Sequence, residues 1–167
     1  MPETLINEEC GQRKDIINCA KIGPDNLNVA KQNTQLYSFK SPNLVLQSVQ
    51  KYLKPILENW AKVKLNPESL KVHGVRRYLE NSKVFPHVDA TTSHIFGAIL
   101  QIEQKLDQNW PICLIGRKQE FQCFDLQPGD MLIYESATII HCRPWPLKGH
   151  FYDIFMVHYA PQIKDEF

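Results

Sequence analysis

The chain has 167 residues, 43% of them hydrophobic and 22% charged, with a formal net charge of +1. That length suits one domain whose core is large enough to fold without staples. The near-neutral balance carries neither a nucleic-acid footprint nor a polybasic membrane surface, and no apolar run approaches the ~18 residues of a membrane span. No nucleic acid and no membrane is therefore expected among its partners, and the oligomeric state stays open. The five cysteines, Cys10, Cys19, Cys113, Cys123 and Cys142, are odd in number and form no C-x-x-C pair. That argues against a zinc ribbon or a full disulfide framework and predicts mostly reduced thiols, as in an intracellular setting.

Residues 1–34 show no periodicity, hold the turn cluster IGPDNLN and read as an N-terminal arm without the apolar stretch of a signal peptide. The stretch QLYSF (35–39) alternates like a strand and opens a domain over residues 35–160. A bracing helix over 41–63 follows, with Ser41 as its cap and Pro42 in the first helical position. Val45, Val49, Tyr52, Leu53, Ile56, Leu57 and Trp60 recur at the helical period, and Pro55 predicts a kink or a break into two helices.

From residue 70 the pattern changes to about eight short β-rich runs: LKVHGVRRYL, VFPHVDA, HIFGAILQIE, PICLIG, EFQCFDL, DMLIYES, TIIHCR and HFYDIFMVHY. Turn signals such as Pro128-Gly129-Asp130 separate several of them, and no strand–helix–strand alternation appears. The expected fold is mainly β with an N-terminal helix (α+β), an antiparallel jelly roll whose outer face the helix covers. Residues 161–167 form a C-terminal tail ending in KDEF, which resembles the K-D-E-L retrieval signal with Phe167 in place of leucine. It reads as a solvated tail in a cytoplasmic protein, and would hint at the endoplasmic reticulum only if the chain were a fragment of a secreted precursor.

Within VFPHVDATTSH, His87 and Asp89 stand two residues apart in a strand-like context, so both side chains project to one face. An imidazole and a carboxylate on one face grip an ion from two adjacent corners. The third ligand should come from another strand, and His141 in ATIIHCRPWP is the best placed; His94 is its rival, in a loop at the rim. Two imidazoles and one carboxylate make a facial triad that leaves coordination positions open, the arrangement of non-haem Fe(II) oxygenases, although zinc accepts the same donors. Cys142 should point to the opposite face from His141, and His73, His150 and His158 read as satisfied sheet histidines.

RRYLENSKVFPHVD followed by LQPGDMLIYESATIIHCRPWPLKG resembles the 2-oxoglutarate- and Fe(II)-dependent dioxygenases, nearest their prolyl 4-hydroxylase-like branch, over about residues 70 to 160. The resemblance implies a double-stranded β-helix core, iron ligation by His87, Asp89 and His141, and use of Fe(II), 2-oxoglutarate and O₂, with ascorbate for reactivation. It also implies hydroxylation of a prolyl residue in a peptide, or of a small amino-acid-like molecule, with release of succinate and CO₂.

The distal carboxylate of such a cosubstrate needs a cation, since a buried carboxylate without a partner is costly. Prolyl 4-hydroxylases carry a lysine ten positions after the distal histidine, where this chain has Phe151. Arg143, two residues after His141, is the first candidate to replace it, and Lys148 the second. Tyr78, nine residues before His87, matches the family tyrosine that hydrogen-bonds the cosubstrate, Gln101 offers a further polar contact, and Trp145 is placed at the mouth for substrate. A non-catalytic metal- or ligand-binding jelly roll is the alternative, and Phe151 is the feature that favours it.

Overall fold

The structure is a computed structural model, and the residues it describes are 33–116, 118 and 120–162. The N-terminal arm up to residue 32, the cysteines Cys10 and Cys19 within it, and the KDEF ending lie outside the described residues.

Among the described residues, nine strands form two antiparallel sheets. In chain order these are β1 (Thr34–Tyr37), β2 (Lys71–Leu79), β3 (Val84–His87), β4 (Phe96–Leu106), β5 (Ile112–Ile115), β6 (Phe121–Phe124), β7 (Met131–Tyr134), β8 (Ile140–Arg143) and β9 (Gly149–Tyr159). One sheet runs β1-β2-β9-β4-β7 and the other β3-β8-β5-β6. Every β-rich run read from the sequence is a strand. Between the sheets lies an inner core that includes Tyr78, Ile99, Trp110, Tyr134, Tyr152 and Ile154. The outer face of the five-stranded sheet carries a second core of Ala98, Phe155, Val157 and Tyr159, closed by Val49 and Leu57 of the helical segment.

That helical segment comprises α1 (Pro42–Ser48), a π-helical stretch Val49–Leu53 and α2 (Lys54–Ala61). Pro55 explains the interruption: it lacks an N–H and crowds the carbonyl one turn back, and the wider turn before it relieves both. Ser41 holds the capping position without a side-chain hydrogen bond. The apolar stripe is only partly covered, since Val49 and Leu57 are buried whereas Tyr52, Ile56 and Trp60 remain exposed. Among the described residues no helix is long and apolar enough to cross a membrane.

The expectation of reduced thiols is overturned at one pair. Cys113 and Cys123 are bonded, because they face each other directly in the β5–β6 register with Cα atoms 4.0 Å apart. Cys142 is the free cysteine of the described residues and is buried on the same outer face of the small sheet. Burial pushes its thiol up to about 12, so it stays protonated.

Glu58 anchors the end of α2. Its carboxylate accepts hydrogen bonds from Lys54 Nζ at 2.6 Å and from the Leu65 N–H at 3.0 Å. Those two donors hold its carboxyl at about 2, against an ordinary 4.5. A carboxyl lowered on folding stabilises above its unfolded value and loses that contribution as pH falls through the folded one. Glu58→Gln should therefore lower unfolding stability by about 1 kcal/mol near neutral pH, allowing for solvent screening. In urea denaturation the gap to the parent chain should close as pH drops from above 4.5 towards 2.

Candidate metal centre and cavity

The two histidines of the triad meet because β3 and β8 pair antiparallel with His87 directly opposite His141. Facing residues in such a pair share a face, and their ring centroids are 4.2 Å apart. The β3–β8 register shifts between Val84 and His87. This irregularity brings His87 rather than Pro86 to the inner face beside Val84, and Pro86, which has no N–H to donate, suits an edge strand at such a point. Asp89 lies just beyond the end of β3, not on the strand as simple alternation predicts. Its backbone N–H donates to the Ser136 carbonyl at 2.8 Å, which fixes where the side chain enters.

Both imidazoles are oriented by main-chain carbonyls. His87 Nδ1 sits 2.7 Å from the Phe85 oxygen and His141 Nδ1 3.1 Å from the Ile139 oxygen. A carbonyl only accepts, so each Nδ1 carries the proton and each Nε2 is left as a lone-pair donor, the usual outer-shell arrangement around a metal. The two Nε2 atoms stand 3.6 and 3.7 Å from Asp89 Oδ1. One donor atom from each of the three residues lies within 4.8 Å of the others, so the trio could hold a metal ion.

The electrostatics suit that role. Burial, followed by the neighbouring His87, lowers His141 to about 4, so it is a neutral ring at neutral pH. Burial alone would raise the Asp89 carboxyl, but the His158, His141 and His87 rings around it bring it down to about 2. Two imidazoles and one ionised carboxylate are donors that fit Fe(II) and also Zn(II).

The triad opens into a cavity of about 180 Å³ between the sheets. Arg143 lines it, 3% exposed, with its guanidinium 4.6 Å from the Trp110 ring and 4.3 Å from the Tyr152 ring. Its Nη1 donates to the Trp110 carbonyl, while Nη2 is buried with no hydrogen-bond partner among the described residues. A buried guanidinium donor left unpaired is costly, and a carboxylate entering the cavity would satisfy it. Tyr78 also lines the cavity and stands edge-on to Trp110 at 5.1 Å.

Three other sequence candidates lie elsewhere. Lys148 is exposed in the turn before β9, with Nζ 3.5 Å from Asn81 Oδ1. Gln101 is buried, but its amide nitrogen donates to the Glu103 carbonyl at 3.0 Å and it does not line the cavity. Trp145 is 41% exposed and contributes its carbonyl, not its ring, by accepting from Trp110 Nε1 at 2.7 Å. Phe151 is on the outer face of β9, where Arg77 stacks over it at 4.0 Å. Counting ten residues from His141 thus reaches a side chain that points away from the cavity, while the neighbouring Tyr152 faces in.

The structure adds groups that the sequence reading missed. Trp110 and Tyr152 flank Arg143, Tyr134 meets His141 edge-on at 4.9 Å, and Arg76 lines the cavity while its neighbour Arg77 is tied outside to Asp153 at 2.7 and 2.8 Å. The alternation of VRRY around Tyr78 marks Arg76 as inward-facing. Trp110 lies in a connection and left no periodic signal. His94 does not join the triad: it groups with His73 and His158.

In sequence, no protein-family model and no curated protein matches the chain. In structure it is similar to a Pseudomonas putida prolyl-4-hydroxylase, with a TM-score of 0.61 at 12% identity over 98% of this chain and 89% of that one. It is also similar to a viral collagen prolyl hydroxylase from Paramecium Bursaria Chlorella virus-1, solved as a 2OG complex, with a TM-score of 0.55 at 11% identity over 93% and 91% of the two chains. A 2OG-Fe(II) oxygenase family oxidoreductase from Burkholderia pseudomallei aligns with a TM-score of 0.58 at 14% identity over 75% of this chain, which spans 60% of that protein. Solved 2OG-Fe(II) oxygenases, prolyl hydroxylases among them, are thus structural neighbours of this chain, and the core is the jelly roll that the strand pattern predicts, in the double-stranded β-helix form that the resemblance implies.

Proposed function

We propose that the chain is an Fe(II)- and 2-oxoglutarate-dependent dioxygenase that hydroxylates a prolyl residue in a peptide or a small amino-acid-like molecule. The observation that carries this reading is the pairing, in one cavity, of the His87–Asp89–His141 donor set with a buried guanidinium at Arg143 that lacks a carboxylate. The fold shared with 2OG-Fe(II) oxygenases supports it.

His87 Nε2, His141 Nε2 and one oxygen of Asp89 would hold the iron, and their grouping on one side leaves the remaining positions to cosubstrate and O₂. The bound iron supplies the O₂ chemistry by which such oxygenases couple decarboxylation of 2-oxoglutarate to hydroxylation. Arg143 Nη2 would donate to the distal carboxylate, while the neighbouring Trp110 and Tyr152 rings and the Trp110 carbonyl hold the guanidinium so that little freedom is lost on binding. The Tyr78 ring closes the same end of the cavity. The buried aromatic walls keep bulk water from the reacting centre. A non-catalytic jelly roll is the alternative; the residue that favoured it, Phe151, lies under Arg77 on the face of β9 away from the cavity, which weakens that support.

Mixing the chain anaerobically with Fe(II) and 2-oxoglutarate should give the weak visible charge-transfer band of the chelate, and admitting air should yield succinate. His87→Ala should abolish the band at unchanged circular dichroism; a parent chain with neither band nor succinate would sink the proposal. Arg143→Ala should raise the 2-oxoglutarate concentration needed for half-maximal succinate release by about 100-fold or more, since it removes one partner of a buried charged pair. A panel of proline-containing peptides and free amino acids, scored by stimulated succinate release, separates the two substrate classes.

A further inference from the structure

On the other side of Asp89 from the triad, three more imidazoles converge from separate parts of the chain: His73 of β2, His94 just before β4, and His158 of β9. One donor nitrogen from each lies within 4.8 Å of the others. The rings of His94 and His158 are 4.4 Å apart, and those of His73 and His94 stack at 5.8 Å. His94 is held by three contacts: its Nδ1 bonds Ser93 Oγ at 2.7 Å, its carbonyl accepts from Ser136 Oγ at 2.7 Å, and its N–H donates to the Ala90 carbonyl at 2.9 Å. That leaves its Nε2 for another partner. His158 is 5% exposed and turns Nε2 towards Asp89 Oδ2 at 3.3 Å, while its Nδ1 is buried with no hydrogen-bond partner among the described residues.

The backbone is bent to build this cluster. Val72 pairs with Val157 and Val75 with Phe155, so β2 carries one residue more than β9 across that interval. Arg76 and Tyr78 line the cavity. Strict alternation from them would put Val72 inside and His73 outside, and the bulge reverses this, packing Val72 in the outer core and bringing His73 to the cavity. The bulge depends on Gly74, at φ +96°, where a Cβ would lie 2.4 Å from the Tyr37 carbonyl oxygen. Opposite His158 stands Gly97, where a Cβ would come within 3.3 Å of the His158 ring.

Three close-packed imidazoles gain little from one another. An ion in their midst would give the three rings a common partner and account for the bulge. We propose that His73, His94 and His158 form a second metal site, which takes a divalent transition ion with an affinity for imidazole, such as Zn(II) or Co(II). The rim position of His73, which is exposed, leaves one side of that ion open to water or an exogenous anion. Asp89 links the two sites, with Oδ1 towards His87 and His141 and Oδ2 towards His158.

The test is metal stoichiometry and needs no turnover. The full chain, without a histidine tag, is stripped with chelator, loaded with Zn(II) or Co(II), dialysed and assayed by mass spectrometry of the metal. Two equivalents are expected. His73→Ala, an exposed position that should not disturb folding, and His94→Ala should each leave one, and the Co(II) absorption bands should lose one component. His87→Ala should also leave one, and His73→Ala combined with His87→Ala none. One equivalent in the parent chain that is lost with His87→Ala but kept in His73→Ala, or two that persist in both His73→Ala and His94→Ala, would overturn the proposal. Two equivalents that fall to one with His73→Ala but not with His87→Ala would uphold the second site and count against the triad as a metal centre.

Discussion

The organisation of the cavity depends on one carboxylate kept ionised in a largely buried place. Asp89 has a side chain only 19% exposed, yet its carboxyl is held at about 2. Removing a charge from water is unfavourable unless something replaces the water. Here the replacement is a ring of imidazoles, with His87 and His141 at one oxygen and His158 at the other. Imidazoles are weak partners for an anion when neutral, and Oδ2 makes no well-formed hydrogen bond. A cation among them would remove that deficit, and the trio could hold one.

The opposite deficit stands across the same cavity. Arg143 is a buried cation close to the Trp110 and Tyr152 rings, whose quadrupoles stabilise a guanidinium but leave its Nη2 without a hydrogen-bond partner among the described residues. Direct pairing of Arg143 with Asp89 would cancel both charges and yield an inert core. Instead the sheets keep them apart, so that the anion could take a metal and the cation could take a carboxylate. A small molecule that chelates at one end and carries a carboxylate at the other meets both requirements at once, which is why the two features together carry more weight than either alone.

Much of this was legible in the sequence because it rests on local period. All eight β-rich runs became strands, and the H-x-D spacing plus a late histidine picked out the three residues that converge. Arg143 could be placed inward from His141 by alternation within β8. What alternation cannot see is where it breaks. The bulge at His73–Gly74 and the shift before His87 change which residues face in, and a count from His141 to Phe151 crosses a turn and loses its parity. The Cys113–Cys123 bond was hidden for a related reason, since it depends on the register of β5 against β6 and not on the spacing of the cysteines. Trp110 and Trp145 carry no period at all, and only the packed structure shows that the first, not the second, belongs to the site.

β9 shows how one strand can serve two environments. It is the centre of the five-stranded sheet, with β2 on one side and β4 on the other. Its even-numbered residues face the space between the sheets: Tyr152 against Arg143, Ile154 and Met156 along the cavity, His158 against Asp89. Its odd-numbered residues face the other way: Phe151 under Arg77, Asp153 paired with Arg77, Phe155 and Val157 beneath the helices. Read as a linear string, HFYDIFMVHY looks like a hydrophobic strand with stray polar residues. Separated by face, it becomes a structural half that locks the sheet to its cover and a chemical half that meets both buried charges of the cavity. Slipping β9 by one residue would exchange the halves, placing Asp153 beside Arg143 and moving His158 away from Asp89. The Arg77–Asp153 fork guards against that slip, because it forms only in the observed register and joins the two strands that carry Tyr78, His73 and His158.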